Sequence, residues 1–200
     1  MAIAAGADAL GLVADMPSGP GPIDDDTIAE IAAFAPPPLA TFLLTSRTDA
    51  EGIVDHANYC GTNTLQIVSH INVAEYPRII KALPHTRRVQ VIHVEDAGAV
   101  NLIHEYDPYV HAFLLDSGRP NATVTELGGT GRTHDWNIST ACIAATKKPV
   151  FLAGGLAPDN VSRAIKQVKP FGLDLCSGVR SNHQLDHTKL SAFMQAEATS

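Results

Sequence analysis

Glycines at two turns late in the sequence are the strongest candidates for binding an anion. Gly154 and Gly155 directly follow one apolar run, and Ser177 and Gly178 follow the next. Because glycine has no Cβ, the N–H groups of such turns can approach a phosphate closely, and a following helix adds favourable potential. We predict that these four residues bind a phosphate, although tight strand-to-helix turns alone would also require glycine.

Polar side chains in the apolar runs are the candidates for proton transfer and ligand contact. Asp116 ends the run of residues 112–116, where burial would raise its pKa and keep it protonated as a general acid. A role as a turn residue for the following loop is the alternative. Asp174 either faces a site or pairs with a basic neighbour, and Gln66 contacts either a ligand or another strand's side chain.

The elements that must position these residues follow one repeating pattern, in which a short apolar run, a turn and a helix-period segment alternate. Continuous apolar character marks strands buried on both faces, and strand–helix alternation predicts a parallel sheet. Glycine-rich turns late in the chain favour a barrel over an open doubly wound sheet. We therefore predict an α/β fold, a TIM-barrel-type (βα) repeat forming a single domain over residues 1–200. Its seven strands are expected at residues 7–13, 39–44, 64–68, 89–94, 112–116, 150–153 and 173–176.

Capping residues predict where several helices begin and end. Thr48 and Glu51 have the spacing of a capping box, which would open a helix that ends near Gly61. Asp24 and Asp186 are further predicted N-caps, because their carboxylates can accept backbone N–H groups.

Composition excludes several classes of protein. The 200 residues carry a net charge of −7, so no basic surface favours a nucleic acid or an anionic membrane. Three cysteines without a C-x-x-C pair indicate neither a disulfide framework nor a zinc site, and a reducing cytoplasm fits them best. His56 and Cys60 share a helical face, but no third ligand is apparent in the sequence, so no metal site is predicted. The chain is predicted to have no signal peptide and no membrane span.

One longer motif connects the chain to a known family. Residues 128–136 resemble the Gly-Gly-Thr-Gly-Lys-Thr-Phe-Asp-Trp signature of phosphoribosylanthranilate isomerases, which are (βα)₈ barrels of tryptophan biosynthesis. Residues 6–13, 114–116, 152–161 and 173–179 resemble the family's second, sixth, seventh and eighth strands in order. The resemblance covers nearly the whole chain. The signature residues are Gly128, Gly129, Thr130, Gly131 and Arg132, which are expected to bind substrate or form a lid.

The resemblance implies an Amadori rearrangement of N-(5′-phosphoribosyl)anthranilate without cofactor or metal. Asp116 occupies the place of the family's general acid, which protonates the ribose ring oxygen. The last two strand-to-helix turns, predicted above to bind phosphate, are the family's phosphate site. Asp174 and Gln66 are expected to line the same substrate site.

The sequence also departs from the family pattern. The family's first strand, with its catalytic cysteine, has no counterpart before Gly6, and no arginine occurs before Arg47 to bind the anthranilate carboxylate. The histidine of a Gln-Leu-His-Gly turn is also absent from residues 66–69. Cys176 is either a replacement thiol or a small buried residue. Three functions remain open: the isomerase, a catalytically impaired phosphosugar-binding relative, and an isomerase of a different phosphosugar. A homo-oligomer covering the open barrel edge is a further expectation.

Overall fold

Seven parallel strands form one curled sheet in the order in which they occur along the chain. The computed structural model describes residues 1–17, 21–118 and 133–200. Each strand pairs with the next one along the chain, as expected for repeated βα units. The strands are β1 (Ala9–Val13), β2 (Ala40–Thr45), β3 (Thr64–Ile67), β4 (Arg87–His93), β5 (Ala112–Asp116), β6 (Val150–Leu152) and β7 (Gly172–Leu173).

Seven α-helices accompany these strands in the described residues. They are α1 (Asp25–Phe34), α2 (Ala50–Cys60), α3 (Tyr76–Ala82), α4 (Ala99–Tyr106), α5 (Trp136–Ala144), α6 (Val161–Val168) and α7 (His187–Ala198). A short antiparallel hairpin, β8 (Arg180–Ser181) and β9 (Gln184–Leu185), precedes α7. The predicted α/β barrel-type repeat is confirmed. None of the helices described is both long and apolar enough to cross a bilayer.

Two apolar clusters occupy the two faces of the sheet. Residues such as Leu43, Phe113 and Leu115 face the helices in the larger cluster. The smaller cluster lines the inner face and contains Val68, Val89, Val91, Ala112, Leu114 and Ala153. Inner residues of non-neighbouring strands also meet, since the rings of Phe42 and Phe151 pack edge to face with centroids 6.2 Å apart. The sheet is therefore curled around an inner core, as in a barrel.

The curl brings the two ends of the chain together. A Cβ on Gly6 would lie 3.7 Å from the Met194 side chain of α7. The guanidinium of Arg180, after β7, lies against Gly21, in the loop that follows β1. Loops from the first and last described strands thus share one rim.

The structure corrects some local predictions. Asp49, not Thr48, caps α2 by accepting the Gly52 N–H, since an extended backbone at Asp49 aims its carboxylate along the first turn. Glu51 plays no part in that cap. The helix ends at Cys60 with Gly61 in the left-handed conformation, as predicted. Asp24 and Asp186 cap α1 and α7 as expected.

The last strand is shorter than predicted. Pairing of β7 with β6 ends at Leu173, and the Asp174 N–H still donates to the Leu152 carbonyl. Asp174 therefore lies at the carboxyl end of the strand and not in its middle.

Candidate active site

Two aspartates lie in one row at the carboxyl ends of the strands. Leu115, Leu152 and Leu173 are paired side by side across β5, β6 and β7. The next residues along these strands are Asp116, Ala153 and Asp174. Because successive side chains alternate between faces, these three point to the inner face while the leucines face the helices. The parallel sheet thus directs both carboxyl groups into one mouth.

Burial gives Asp116 the properties of a proton donor near neutral pH. The residue is 8% exposed. Desolvation raises the pKa of its carboxyl to about 6, with a smaller contribution from the negative charge of Asp174. A backbone hydrogen bond from Ser117 opposes this shift in part. Burial also raises the pKa of Asp174, so both carboxyl groups hold a proton more strongly than an exposed aspartate does.

The glycine turn after β6 packs against the segment that follows the acid. A Cβ on Gly154 would lie 2.9 Å from the backbone nitrogen and from the side chain of Ser117, the residue after Asp116. Gly154 and Gly155 both have positive φ, at 84° and 64°. Both the available space and the backbone conformation therefore require glycine at position 154.

The turn after β7 touches the turn after β6. A Cβ on Gly178 would lie 1.9 Å from the Leu156 carbonyl oxygen, so only glycine fits there. Ser177 and Gly178 begin a short 3₁₀ turn, Ser177–Val179. Their N–H groups and those of Gly154 and Gly155 have no hydrogen-bond acceptor within the described ranges. The two turns together provide an N–H-lined surface close to Asp116.

Asn160 holds the first of these turns in shape. Its side-chain oxygen accepts the Ala157 N–H at 2.9 Å, and its amide nitrogen donates to the Gly155 carbonyl at 2.9 Å. Asn160 also directly precedes α6, but its side chain caps no N–H group of that helix. Its role in the turn was missed because it depends on the turn's conformation.

The other predicted residues fall in different places. The signature residues Gly128, Gly129, Thr130, Gly131 and Arg132 lie outside the described residues. Gln66 is buried on the inner face of β3. Gln66 is paired side by side with Val89, which is paired with Ala112. Ala112 comes four residues before Asp116 along β5, so Gln66 lies further from the carboxyl ends of the strands than the two aspartates do.

Two further residues near Asp116 could take part in proton transfer, His93 on β4 and Cys176 after β7. His93 pairs in register with Asp116, and its Nε2–H donates to the Val68 carbonyl oxygen, 2.9 Å away. Burial lowers its pKa to about 4, so the ring is neutral near pH 7. Burial raises the pKa of the Cys176 thiol, while the nearby Arg180 charge lowers it in part. A thiol with a raised pKa is mostly protonated at neutral pH and is therefore a poor base, which argues against Cys176 as a replacement thiol, and the residue is only partly buried.

One group of three possible metal ligands occurs in the part of the chain that is described. It contains Asp25, His56 and Cys60, so the structure supplies the third ligand that the sequence did not reveal. Both ring nitrogens of His56 already have partners, with Nδ1 2.9 Å from Thr45 Oγ1 and Nε2 3.0 Å from Asp25 Oδ1. This arrangement connects β2, α2 and α1 on the helix side of the sheet, away from the aspartate row.

Comparisons with known proteins give consistent results. The family model for N-(5′-phosphoribosyl)anthranilate isomerase matches residues 45–196. An isomerase of that name from Haloferax volcanii is 36% identical over 198 residues, spanning 98% of this chain and 86% of the relative. A second, from Methanosarcina mazei, is 33% identical and spans 97% of this chain and 86% of the relative.

Solved structures agree with the sequence comparison. Phosphoribosyl anthranilate isomerase from Thermotoga maritima superposes with a TM-score of 0.82 at 25% identity, covering 100% of this chain and 92% of that one. Another isomerase structure holds reduced 1-(o-carboxyphenylamino)-1-deoxyribulose 5-phosphate. It superposes with a TM-score of 0.79 at 23% identity, covering 100% of this chain and 91% of that one.

Proposed function

The chain belongs to the N-(5′-phosphoribosyl)anthranilate isomerase family of tryptophan biosynthesis, and we propose that it performs the family's Amadori rearrangement with Asp116 as the general acid. The observation that carries this assignment is the buried Asp116 carboxyl, with a pKa of about 6, beside two glycine turns. At this pKa about one carboxyl group in ten is protonated at pH 7, far more than for an ordinary aspartate, and this protonated form is the acid catalyst.

The proton of Asp116 passes to the ribose ring oxygen of the substrate. The bond from that oxygen to ribose carbon 1 then breaks, and the nitrogen lone pair forms a C=N bond that leaves a positive charge on nitrogen. Ionised Asp174 is well placed to balance this charge. Loss of the proton at carbon 2 to water or a base gives an enolamine. Protonation of carbon 1 and loss of the 2-hydroxyl proton then give the 1-deoxyribulose product, and the proton released from the hydroxyl restores the acid form of Asp116.

The phosphate end of the substrate is assigned to the N–H groups of Gly154, Gly155, Ser177 and Gly178. Two observations support this assignment: the turns contact each other, and the residues described around them accept none of these hydrogens. Backbone N–H groups at such turns bind a phosphate dianion without needing a nearby lysine. Gln66 and residues 128–132 are assigned to the surrounding substrate contacts. No step requires a cofactor or a metal.

The proposal extends to location and assembly. Cys60, Cys142 and Cys176 form no disulfide with one another, which suits the reducing cytoplasm. Strands β1 and β7 are the two edge strands of the described sheet. Edge strands have unpaired backbone groups, so we propose that a second copy of the chain covers the open edge of the barrel between them.

A single experiment tests the function. The purified chain is mixed with N-(5′-phosphoribosyl)anthranilate, whose fluorescence disappears as the product forms, and ribulose 5-phosphate binding is measured by calorimetry in parallel. Turnover that is lost in Asp116→Asn supports the proposal. Binding without turnover by the unaltered chain would favour a phosphosugar-binding protein, and turnover of another phosphosugar alone would favour a different isomerase.

A further inference from the structure

Arg180 places its guanidinium against the loop that follows β1. Its Nη2 atom is 3.2 Å from the position that a Cβ on Gly21 would occupy. Gly21 lies in the loop after β1, whereas Arg180 follows β7. The Arg180 side chain therefore connects the loops of the two outermost strands, which the curl of the sheet brings together. Glycine at position 21, with φ of 99°, leaves room for this approach.

The hairpin that carries Arg180 holds it in place. Nη1 donates to the His183 carbonyl at 2.7 Å, and the Arg180 carbonyl accepts from Lys189 Nζ at 2.8 Å. Asn182 and His183 both have positive φ, as a two-residue type I′ hairpin requires. The guanidinium is therefore positioned by its own hairpin rather than by an acidic partner.

The charge of Arg180 has no counter-ion among the residues described. No carboxylate of those residues lies within ion-pair distance of it, and its Nε is buried without a hydrogen-bond partner. The same charge acts on Cys176, whose thiol also responds to Asp174 and Asp116. Within the described residues the guanidinium thus has no ion-pair partner, and a partly buried cation of this kind is most stable when an anion joins it.

The substrate has two anionic ends that need separate partners. Its phosphate is assigned above to the glycine turns after β6 and β7. Its aromatic carboxylate must then lie elsewhere on the rim, and no lysine or arginine precedes Arg47 in the sequence, so the loop after β1 supplies no cation of its own. Arg180 reaches that loop from the other end of the sheet.

We propose that Arg180 binds the anthranilate carboxylate of the substrate and so determines specificity for a carboxylated aromatic amine. The planar guanidinium can form two parallel hydrogen bonds with a carboxylate, which lysine cannot do. The ribose ring then lies between Arg180 and the glycine turns, beneath Asp116. This inference rests on the proposed function, because it takes the phosphate and the acid as assigned there.

Two ligands that differ only in the carboxylate test the inference. Calorimetry measures binding of reduced 1-(o-carboxyphenylamino)-1-deoxyribulose 5-phosphate and of the same molecule without the carboxyl group. Arg180→Gln is expected to weaken binding of the first ligand by about 10- to 100-fold, the usual effect of losing a charged hydrogen bond. Binding of the second ligand should change less than about twofold, and Arg180→Lys should recover part of the loss. Exposed Arg78 on α3 provides the control variant Arg78→Gln, which should bind both ligands as the unaltered chain does.

Each other outcome counts against the inference. Equal weakening of both ligands by Arg180→Gln, with the melting temperature unchanged, would assign Arg180 to the phosphate instead. Unchanged binding of both ligands would remove Arg180 from the site. If Arg180→Gln fails to fold, the affinities of Arg180→Lys for the two ligands are compared instead. Weaker binding of the carboxylated ligand alone then supports the inference, and equal or no weakening contradicts it. Failure of the unaltered chain to bind either ligand would overturn the proposed function itself. This outcome is seen without any substitution, so it can be told apart from the outcomes that concern Arg180.

Discussion

Asp116 and Asp174 lie in one row of the sheet, two strands apart, and both carboxyl groups face the inner mouth. The negative charge on Asp174 adds to burial in raising the pKa of Asp116. Neighbouring carboxyl groups resist ionising together, so one of them retains a proton to higher pH than an isolated aspartate would. This arrangement provides one acid and one anion in the same site.

Asp116→Asn should abolish most turnover, because asparagine cannot give a proton to the ring oxygen. General acid catalysis contributes about 10²–10⁴-fold, so kcat should fall by roughly that factor. Binding of the reduced product analogue should remain close to normal. Unchanged turnover of the fluorescent substrate would remove Asp116 from the mechanism.

The activity should decline as the pH rises through the pKa of Asp116, which is about 6. The acid acts in its protonated form, so kcat/KM should fall on the alkaline side of that value. In Asp174→Asn the repulsion is gone, the pKa of Asp116 falls, and the decline should begin at lower pH. The measurement is a pH profile of kcat/KM for the unaltered chain and for Asp174→Asn. A decline that begins at higher pH in the variant would contradict the prediction.

Asp116 should also reduce stability at neutral pH. Its folded-state pKa is raised above the ordinary value of 3.8, so the folded state loses stability as the pH rises from about 4 to about 6 and does not regain it above that range. Asp116→Asn should therefore increase the free energy of unfolding at pH 7.5, by about 1–3 kcal/mol. At pH 3 the difference should disappear. Urea unfolding of the variant and of the unaltered chain at pH 7.5 and pH 3 measures these differences. The same difference in unfolding free energy at both pH values would argue against burial of the charge as the cause.

Gly178→Ala should disrupt the contact between the two glycine turns. The added methyl group would meet the Leu156 carbonyl oxygen at 1.9 Å, and overpacking of this kind costs about 1–3 kcal/mol or more. We expect at least about tenfold weaker ribulose 5-phosphate binding or a lower melting temperature. Gly11→Ala is the matched control, since its Cβ would lie 3.5 Å from the Leu44 side chain, an ordinary contact. Equal behaviour of the two variants would contradict the packing argument.

His56→Ala should destabilise the fold without affecting substrate binding. It removes two hydrogen bonds and leaves the buried Thr45 hydroxyl without its ring partner, at a cost of about 1–3 kcal/mol. KM should stay the same, because this group lies on the helix side of the sheet. His104, exposed on α4, provides the control His104→Ala, which should unfold like the unaltered chain. A changed KM in His56→Ala, with KM unchanged in His104→Ala, would mean that the cluster around His56 affects the site at Asp116.

The sequence predicted the elements well because their causes are local. Apolar runs found all seven strands of the sheet, and Asp24, Gly61 and Asp186 marked helix ends where they were expected. It misplaced the α2 cap by one residue and extended the last strand beyond Leu173. Such boundaries depend on backbone angles and on a neighbouring strand, which a short window of sequence does not contain.

The sequence by itself determined a parallel (βα) repeat, a candidate acid and two glycine turns at strand ends, because residue type and spacing along one segment are sufficient for each. Only the tertiary structure decided that Asp116 and Asp174 share the inner face of the sheet, that Gly178 packs on Leu156 and that Arg180 reaches Gly21. These pairs join residues far apart in the chain. Their contacts exist only after strand pairing and curvature of the sheet bring different loops to one rim.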